Sequence, residues 1–324
     1  MTDKTYLLTG SMGCIGSWVL RHLLDRGERV IATDLSTDPV RPSLLLTQDE
    51  IAGIDWRQLD VTDTQAVSDL VGTEGITHIV HLAGLQIPFC RANPPLGAAV
   101  NVTGTVNILE AARAHGVKGL SYASSLAALG PPDMYDTWPL PDDAPPKPST
   151  LYGVYKVANE ESARIYANDW GVGSVGLRPY VVYGIARDQG VTADCAKAIL
   201  AAAAGKPFHI RFSGPIAMQH ARDVARIFVG CADAETPDAH VCNLRNDVLT
   251  VAEFVAALKE VHPTAEITVA DNDLPFPADL ADSGLQGLLG TVPHTPLREA
   301  IAADLKMYSA LLAEGRIDLG QLEG

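Results

Sequence analysis

Apolar runs of strand length alternate with amphipathic runs of helix length through the first half of the chain, the pattern of a parallel sheet whose strands are joined by crossover helices. Strands are predicted at 6–9, at 29–33 ending on Asp34, at 56–59 ending on Asp60, at 77–83, at 119–124, and at 174–177 before Arg178-Pro179. Helices are predicted over 15–24, 95–115 and 150–170. Six β units in series make the chain an α/β protein. After Tyr183 the alternation weakens. Helices are expected near 193–204, from Asp223, at 251–261 and at 296–312, with a Gly/Pro-marked crossing at 205–215 and a short strand at 241–244. This part reads as a smaller domain, with some of its chain returning to the main sheet. The Pro- and Asp-rich stretch 131–148 reads as an ordered surface loop.

Composition narrows the class. The 324 residues can bury a large core, and 47% are hydrophobic against 19% charged. No apolar stretch approaches the roughly 20 residues of a membrane span. Met1-Thr2-Asp3-Lys4 runs straight into an apolar strand without a basic n-region or a long apolar h-region, so a cytoplasmic protein is expected. The five cysteines (Cys14, Cys90, Cys195, Cys231, Cys242) are odd in number and scattered, without the spacing of a metal or redox site. They read as reduced thiols, and no metal is expected. A net charge of -15 argues against a nucleic-acid partner, and any anionic substrate must meet a local basic patch.

Two short patterns carry the chemistry. Gly10-x-x-Gly13-x-x-Gly16 lies between a predicted strand and a predicted helix. There the first glycine permits the turn, the second lets a pyrophosphate approach the backbone, and the third lets helix and strand pack closely. Asp34, at the end of the next strand, stands near the ~20-residue offset of an acid that binds the adenosine ribose. No arginine occupies 35–37, so the cofactor expected is NAD rather than NADP. Tyr152 and Lys156 share one helix face at i, i+4, while Tyr155 points elsewhere. A phenol with an ordinary pKa of about 10 is a weak base at neutral pH. A nearby ammonium and a cationic nicotinamide are expected to lower that value, fitting Tyr152 to take a proton from an alcohol. A substrate oxygen would be held by Ser125 or Ser124, and alternation along the strand end leaves the choice between them open.

The motifs resemble those of an extended short-chain dehydrogenase/reductase of the NAD-dependent epimerase/dehydratase family. Thr9-Gly10-Ser11-Met12-Gly13-Cys14-Ile15-Gly16 is similar to the family's TGxxGxIG, and Leu59-Asp60-Val61 to its adenine-contacting segment. His81-Leu82-Ala83-Gly84 resembles HLAA, and Asn101-Val102-Thr103-Gly104-Thr105 resembles NVxGT. Ala123-Ser124-Ser125 resembles the strand with the catalytic Ser/Thr, Tyr152 to Lys156 the YxxxK, and Arg178-Pro179-Tyr180-Val181-Val182-Tyr183-Gly184 the RPxxVYG. The likeness covers about the first 185 residues. It implies a Rossmann-type doubly wound parallel sheet at 1–179, rejoined by the chain around 221–245, with a smaller α/β substrate domain from 180–220 and 246–324. It also implies a homodimer. The residues it assigns to NAD are Gly10, Gly13, Cys14, Ile15, Gly16, Asp34, Asp60, Val61, Leu82, Ala83, Gly84, Asn101, Tyr152, Lys156, Tyr180 and Val182. Between the two serines it selects Ser125.

Departures from the family pattern bear on the substrate. Ala127 and Leu129 stand where sugar-nucleotide epimerases commonly carry Thr or Glu and Tyr, which disfavours a dehydratase. The stretch 272–279, where many nucleotide-sugar members grip a diphosphate with arginine, has none. Arg178, Arg187, Arg211 and Arg222, with His209 and His220, are the candidates to replace that grip, since Arg forks suit planar anions. Asp223 reads as a helix N-cap. The expectation is an NAD-dependent oxidoreductase or epimerase acting on a secondary hydroxyl of a small sugar-type substrate. Tyr152 would be the acid/base, Lys156 its partner and Ser125 the oxygen-holding residue. The alternatives are a UDP-sugar 4-epimerase with tightly bound NAD and a non-catalytic NAD-sensing regulator.

Overall fold

The computed structural model describes residues 4–323. The reading of the first three residues as lacking a leader lies outside that range. Twelve strands occur along the described chain: β1 Thr5–Thr9, β2 Arg29–Asp34, β3 Asp55–Gln58, β4 His78–His81, β5 Gly119–Ala123, β6 Ser174–Arg178, β7 Val181–Tyr183, β8 Phe208–Ile210, β9 Pro215–His220, β10 Ala239–Asn243, β11 Asp247–Thr250 and β12 Ile267–Val269. Seven of them form one parallel sheet in the order β10-β6-β5-β4-β1-β2-β3, a Rossmann-type doubly wound arrangement.

Both faces of this sheet are covered, which is why its central strands β1, β4, β5 and β6 are buried along nearly their whole length. Along β1 the side chains divide with period two. Tyr6 and Leu8 join the core that also holds Val19 and Val224, from helices Cys14–Asp25 and Ala221–Asp233. Leu7 faces the other way, into a core with Val67, Ile108 and Ala163 from helices Thr64–Thr73, Gly104–His115 and Leu151–Trp170. The last of these helices is held at both ends. Thr150 Oγ1 accepts from the Gly153 N–H at 3.0 Å, and Gly171 closes it with φ 68°.

The stretch predicted as one helix over 95–115 is three segments. A helix over Pro94–Ala98 passes into a π-helical turn at Ala99–Thr103 and then into Gly104–His115. The sequence also missed β7, β8, β9, β11 and β12. β7, β9 and β11 form a second sheet, and β8 pairs with β12. The strand expected at 241–244 is β10, parallel to β6 at the edge of the main sheet. Asp223 is not the N-cap of its helix. His220 Nδ1 accepts the Arg222 N–H at 3.2 Å, whereas the buried Asp223 carboxylate accepts from the Thr295 N–H at 2.6 Å and its hydroxyl at 3.1 Å.

Candidate active site

The strand order reverses between β1 and β4, and the crevice beyond their carboxyl ends is where open α/β sheets hold ligands. The glycine turn forms one wall of it. Gly10 has φ +72°, and a Cβ there would lie 2.7 Å from the Ala83 N and the Leu82 carbonyl carbon at the end of β4. A Cβ on Gly16 would stand 2.2 Å from the Gly10 oxygen. Gly13 is the N-cap of helix Cys14–Asp25 and has no side chain to offer, which leaves the helix start open to an anion.

A cleft of about 470 Å³ runs past this turn, lined by Gly10, Gly13, Cys14, Ile15 and Gly16 on one side and by Leu82, Ala83 and Gly84 on the other. Asp34 lies at one end, its carboxylate accepting from the Met12 N–H at 3.0 Å and the Leu35 N–H at 2.8 Å. Asp60 and Val61 line the cleft beyond it. These residues fit a dinucleotide: the turn has space only where side chains are missing, and a carboxylate stands at the end of β2.

Arg41 and Asp188 also line this cleft and were missed in the sequence. Arg41 Nε donates to both Asp188 carboxylate oxygens at 2.9 and 3.0 Å, and its Nη1 donates to the Met12 carbonyl at 3.1 Å. In the sequence Arg41 stands seven residues past Asp34, outside the 35–37 window that bears on a 2'-phosphate.

A smaller cleft of about 220 Å³ adjoins the first and shares Ile15, Leu82, Gly84, Ala123 and Arg187 with it. Ser125, Tyr152, Lys156, Tyr180 and Val182 line it. Helix Leu151–Trp170 reaches it because residue 153 is glycine: a Cβ there would lie 2.1 Å from the Ala127 oxygen. That approach sets the Tyr152 phenol beside the Ser125 hydroxyl, which acts to lower its pKa. Ser124 turns inward instead, its hydroxyl donating to the Glu160 carboxylate. Tyr155 donates to the Pro94 carbonyl at 3.0 Å, away from the cleft.

Lys156 is buried, with Nζ 5.4 Å from the Tyr152 ring centre and donating to the Ala123 carbonyl at 2.7 Å. Burial pulls its pKa down to about 8. The Tyr152 phenol is pushed up from its ordinary value by burial, against the opposing effect of Ser125. The expected lowering by the ammonium and a cationic nicotinamide together concerns the NAD-bound protein; in the protein alone burial is the largest influence on this phenol. Behind the wall, His81 bonds Thr9 at 2.7 Å and Thr105 at 3.2 Å, and burial pushes its pKa down to about 3.

Several predicted site residues stand elsewhere. Asn101 is fully buried behind Gly84, not on the cofactor wall. Its amide donates to the Leu85 and Gly97 carbonyls at 3.1 and 3.0 Å, tying the π-helical turn to the loop after β4. Arg178 is enclosed by a bidentate pair with Glu160 at 2.8 and 2.7 Å and also donates to the Asp142 carbonyl at 3.0 Å, so it offers nothing to a substrate. Arg211 is bound to the fully buried Asp194, and Arg222 to Thr295 Oγ1 at 2.9 Å. His209 bonds Thr268, and His220 faces Asp304. Of the four candidate arginines only Arg187 reaches the cleft.

A family model described as "NAD dependent epimerase/dehydratase family" matches residues 6–244. Over 210 residues the chain is 33% identical to a UDP-glucose 4-epimerase of Mycolicibacterium smegmatis, covering 62% of this chain and 65% of that protein. The chain spans about half the length of the curated relatives it matches. Among solved structures, an L-threonine dehydrogenase from Clostridium difficile superimposes with a TM-score of 0.83 at 22% identity, covering 96% of this chain and 99% of that one. A UDP-glucose 4-epimerase with UDP-glucose from Thermotoga maritima gives 0.81 at 22% identity, covering 95% and 99%. At such identities the likeness is one of fold.

Proposed function

Because the chain belongs to the NAD-dependent epimerase/dehydratase family, we propose that it binds NAD in the larger cleft and moves a hydride between NAD and a secondary carbinol carbon of a sugar-type substrate in the smaller one. The observation that carries this reading is the meeting of Ser125, Tyr152 and Lys156 where the two clefts join. NAD, when bound, supplies the hydride acceptor. Asp34 would accept from the ribose hydroxyls, and the turn from Gly10 to Gly16 would face the pyrophosphate with backbone N–H groups.

The chain's own residues move the proton. As the carbinol C–H bond breaks and its electron pair leaves with the hydride, Tyr152 takes the hydroxyl proton and the C–O bond becomes a carbonyl. Ser125 holds that oxygen by a hydrogen bond. Lys156, fixed between the Tyr152 ring and the Ala123 carbonyl, favours the phenolate needed in this direction. In reverse, the neutral phenol that burial maintains gives its proton to the ketone. If the ketone turns and receives the hydride on its other face, the result is epimerisation; if it leaves, the result is oxidation.

The stripe Leu151, Val154 and Ile165 on helix Leu151–Trp170 is 46%, 47% and 40% exposed, and Leu96 beside it is 48% exposed. We propose that a second copy covers it in a homodimer, a state that sedimentation would read directly. Five free thiols suit a cytoplasmic location. The enzymatic reading is tested by following reduced nicotinamide when the NAD-loaded protein meets sugars, sugar acids and UDP-sugars, with product analysis for epimers. Turnover in at least one class is expected. Failure to bind NAD at all would overturn it.

A further inference from the structure

Resting on the hydride-transfer reading above, we propose that the substrate is a compact hydroxy acid of sugar-acid size whose carboxylate is held by Arg187, and not a nucleotide sugar. Arg187 follows Ala186, a buried non-glycine residue held at φ 72°, a conformation that persists only where the surroundings impose it. Its Nη2 donates to Thr192 Oγ1 at 3.3 Å, while its Nε is buried without a partner. Among the described residues it makes no ion pair, in contrast to Arg178, Arg211 and Arg245, each bound to a carboxylate. Gly190, at φ +101°, lets Gln86 and Arg187 converge. A Cβ there would lie 2.7 Å from Gln86 Oε1 and 3.0 Å from Arg187 Nη2. A guanidinium that lines a cleft without an ion pair is a fork for a planar anion.

The rest of the cleft is built for something small. Tyr180 lines the cleft at 8% exposure, and its buried hydroxyl has no partner. Phe276 packs edge-on against its ring at 5.8 Å. Phe276 is also what the arginine-free stretch 272–279 contributes to the lining, in place of a cation. The volume of about 220 Å³ falls below the roughly 300–1,000 Å³ of pockets that enclose larger ligands. A nucleotide sugar would bring two phosphate charges and a base to a chain of net charge -15, with Arg187 as the one open guanidinium found at this cleft.

Arg187 also lines the dinucleotide cleft, so a cofactor phosphate is the other anion it could meet, and the experiment separates the two. The probes are glycerate, threonate, gluconate, gluconamide and UDP-glucose, presented to NAD-loaded wild type and Arg187→Gln. At least one acid is expected to be oxidised, with its KM rising about tenfold or more in the variant, and by a clearly larger factor than either the KM of gluconamide or the NAD dissociation constant. UDP-glucose is expected to bind more weakly than about 100 μM by calorimetry. Tighter UDP-glucose binding, oxidation of UDP-glucose but of no acid, or a variant that loses NAD affinity with acid KM unchanged would each overturn the proposal while leaving hydride transfer standing. Absence of NAD binding in wild type would instead remove the reading beneath it.

Discussion

Arg178 and Glu160 bury opposite charges against each other beneath β6, with the Ser124 hydroxyl and Asn243 drawn into the same network. Removing one partner leaves the other charge without compensation, which costs about 3–5 kcal/mol. Arg178→Met is therefore expected to lower unfolding free energy by roughly that amount in denaturant titration, with substrate KM unchanged in the protein that remains folded. A raised KM with unchanged stability would return Arg178 to the substrate site. Residue type and spacing brought out Tyr152, Lys156 and the glycines because each needs a particular chemistry at a particular offset. The same reasoning could not separate Arg187 from Arg178, Arg211 and Arg222. A guanidinium's role depends on which carboxylate lies beside it, and Glu160 and Asp194 are each at least 17 positions away in the chain.

The strand ends explain what was legible at the level of elements. Strands buried on both faces show as apolar runs, so the six β units of the main sheet could be read to within a residue or two at most ends. β7, β8 and β12 have three residues each, too few to show a period, and the π-helical turn at Ala99–Thr103 has much the same apolar pattern as an α-helix. Cofactor choice belongs to this scale, because Asp34 is placed by the end of β2. Its carboxylate, fixed by the Met12 and Leu35 N–H groups, would repel a 2'-phosphate, and Arg41 is occupied by Asp188. Catalytic efficiency with NAD is expected to exceed that with NADP by at least about tenfold, roughly 1.4 kcal/mol. Asp34→Ala should narrow the gap. Equal use of both cofactors by wild type would show that Arg41 leaves Asp188 to take the phosphate.

The whole molecule couples the site to folding through His81, held neutral between Thr9 and Thr105 at the junction of β1, β4 and helix Gly104–His115. Its folded pKa of about 3 lies below the unfolded value of about 6.5, so between those limits the unfolded chain binds the extra proton. This contribution is fully present above about pH 6.5 and falls by up to about 1.4 kcal/mol for each pH unit below it. The slope of unfolding free energy against pH should be shallower in His81→Gln; an identical slope would place the acid sensitivity elsewhere. The most direct measurement of the central claim, that the joined clefts perform hydride transfer through Tyr152, is turnover and NAD affinity measured together for Tyr152→Phe and Tyr155→Phe. The account expects both variants to bind NAD like wild type, with turnover falling about 100-fold or more in Tyr152→Phe and little in Tyr155→Phe. Equal loss in the two variants, or full turnover without the Tyr152 phenol, would contradict it.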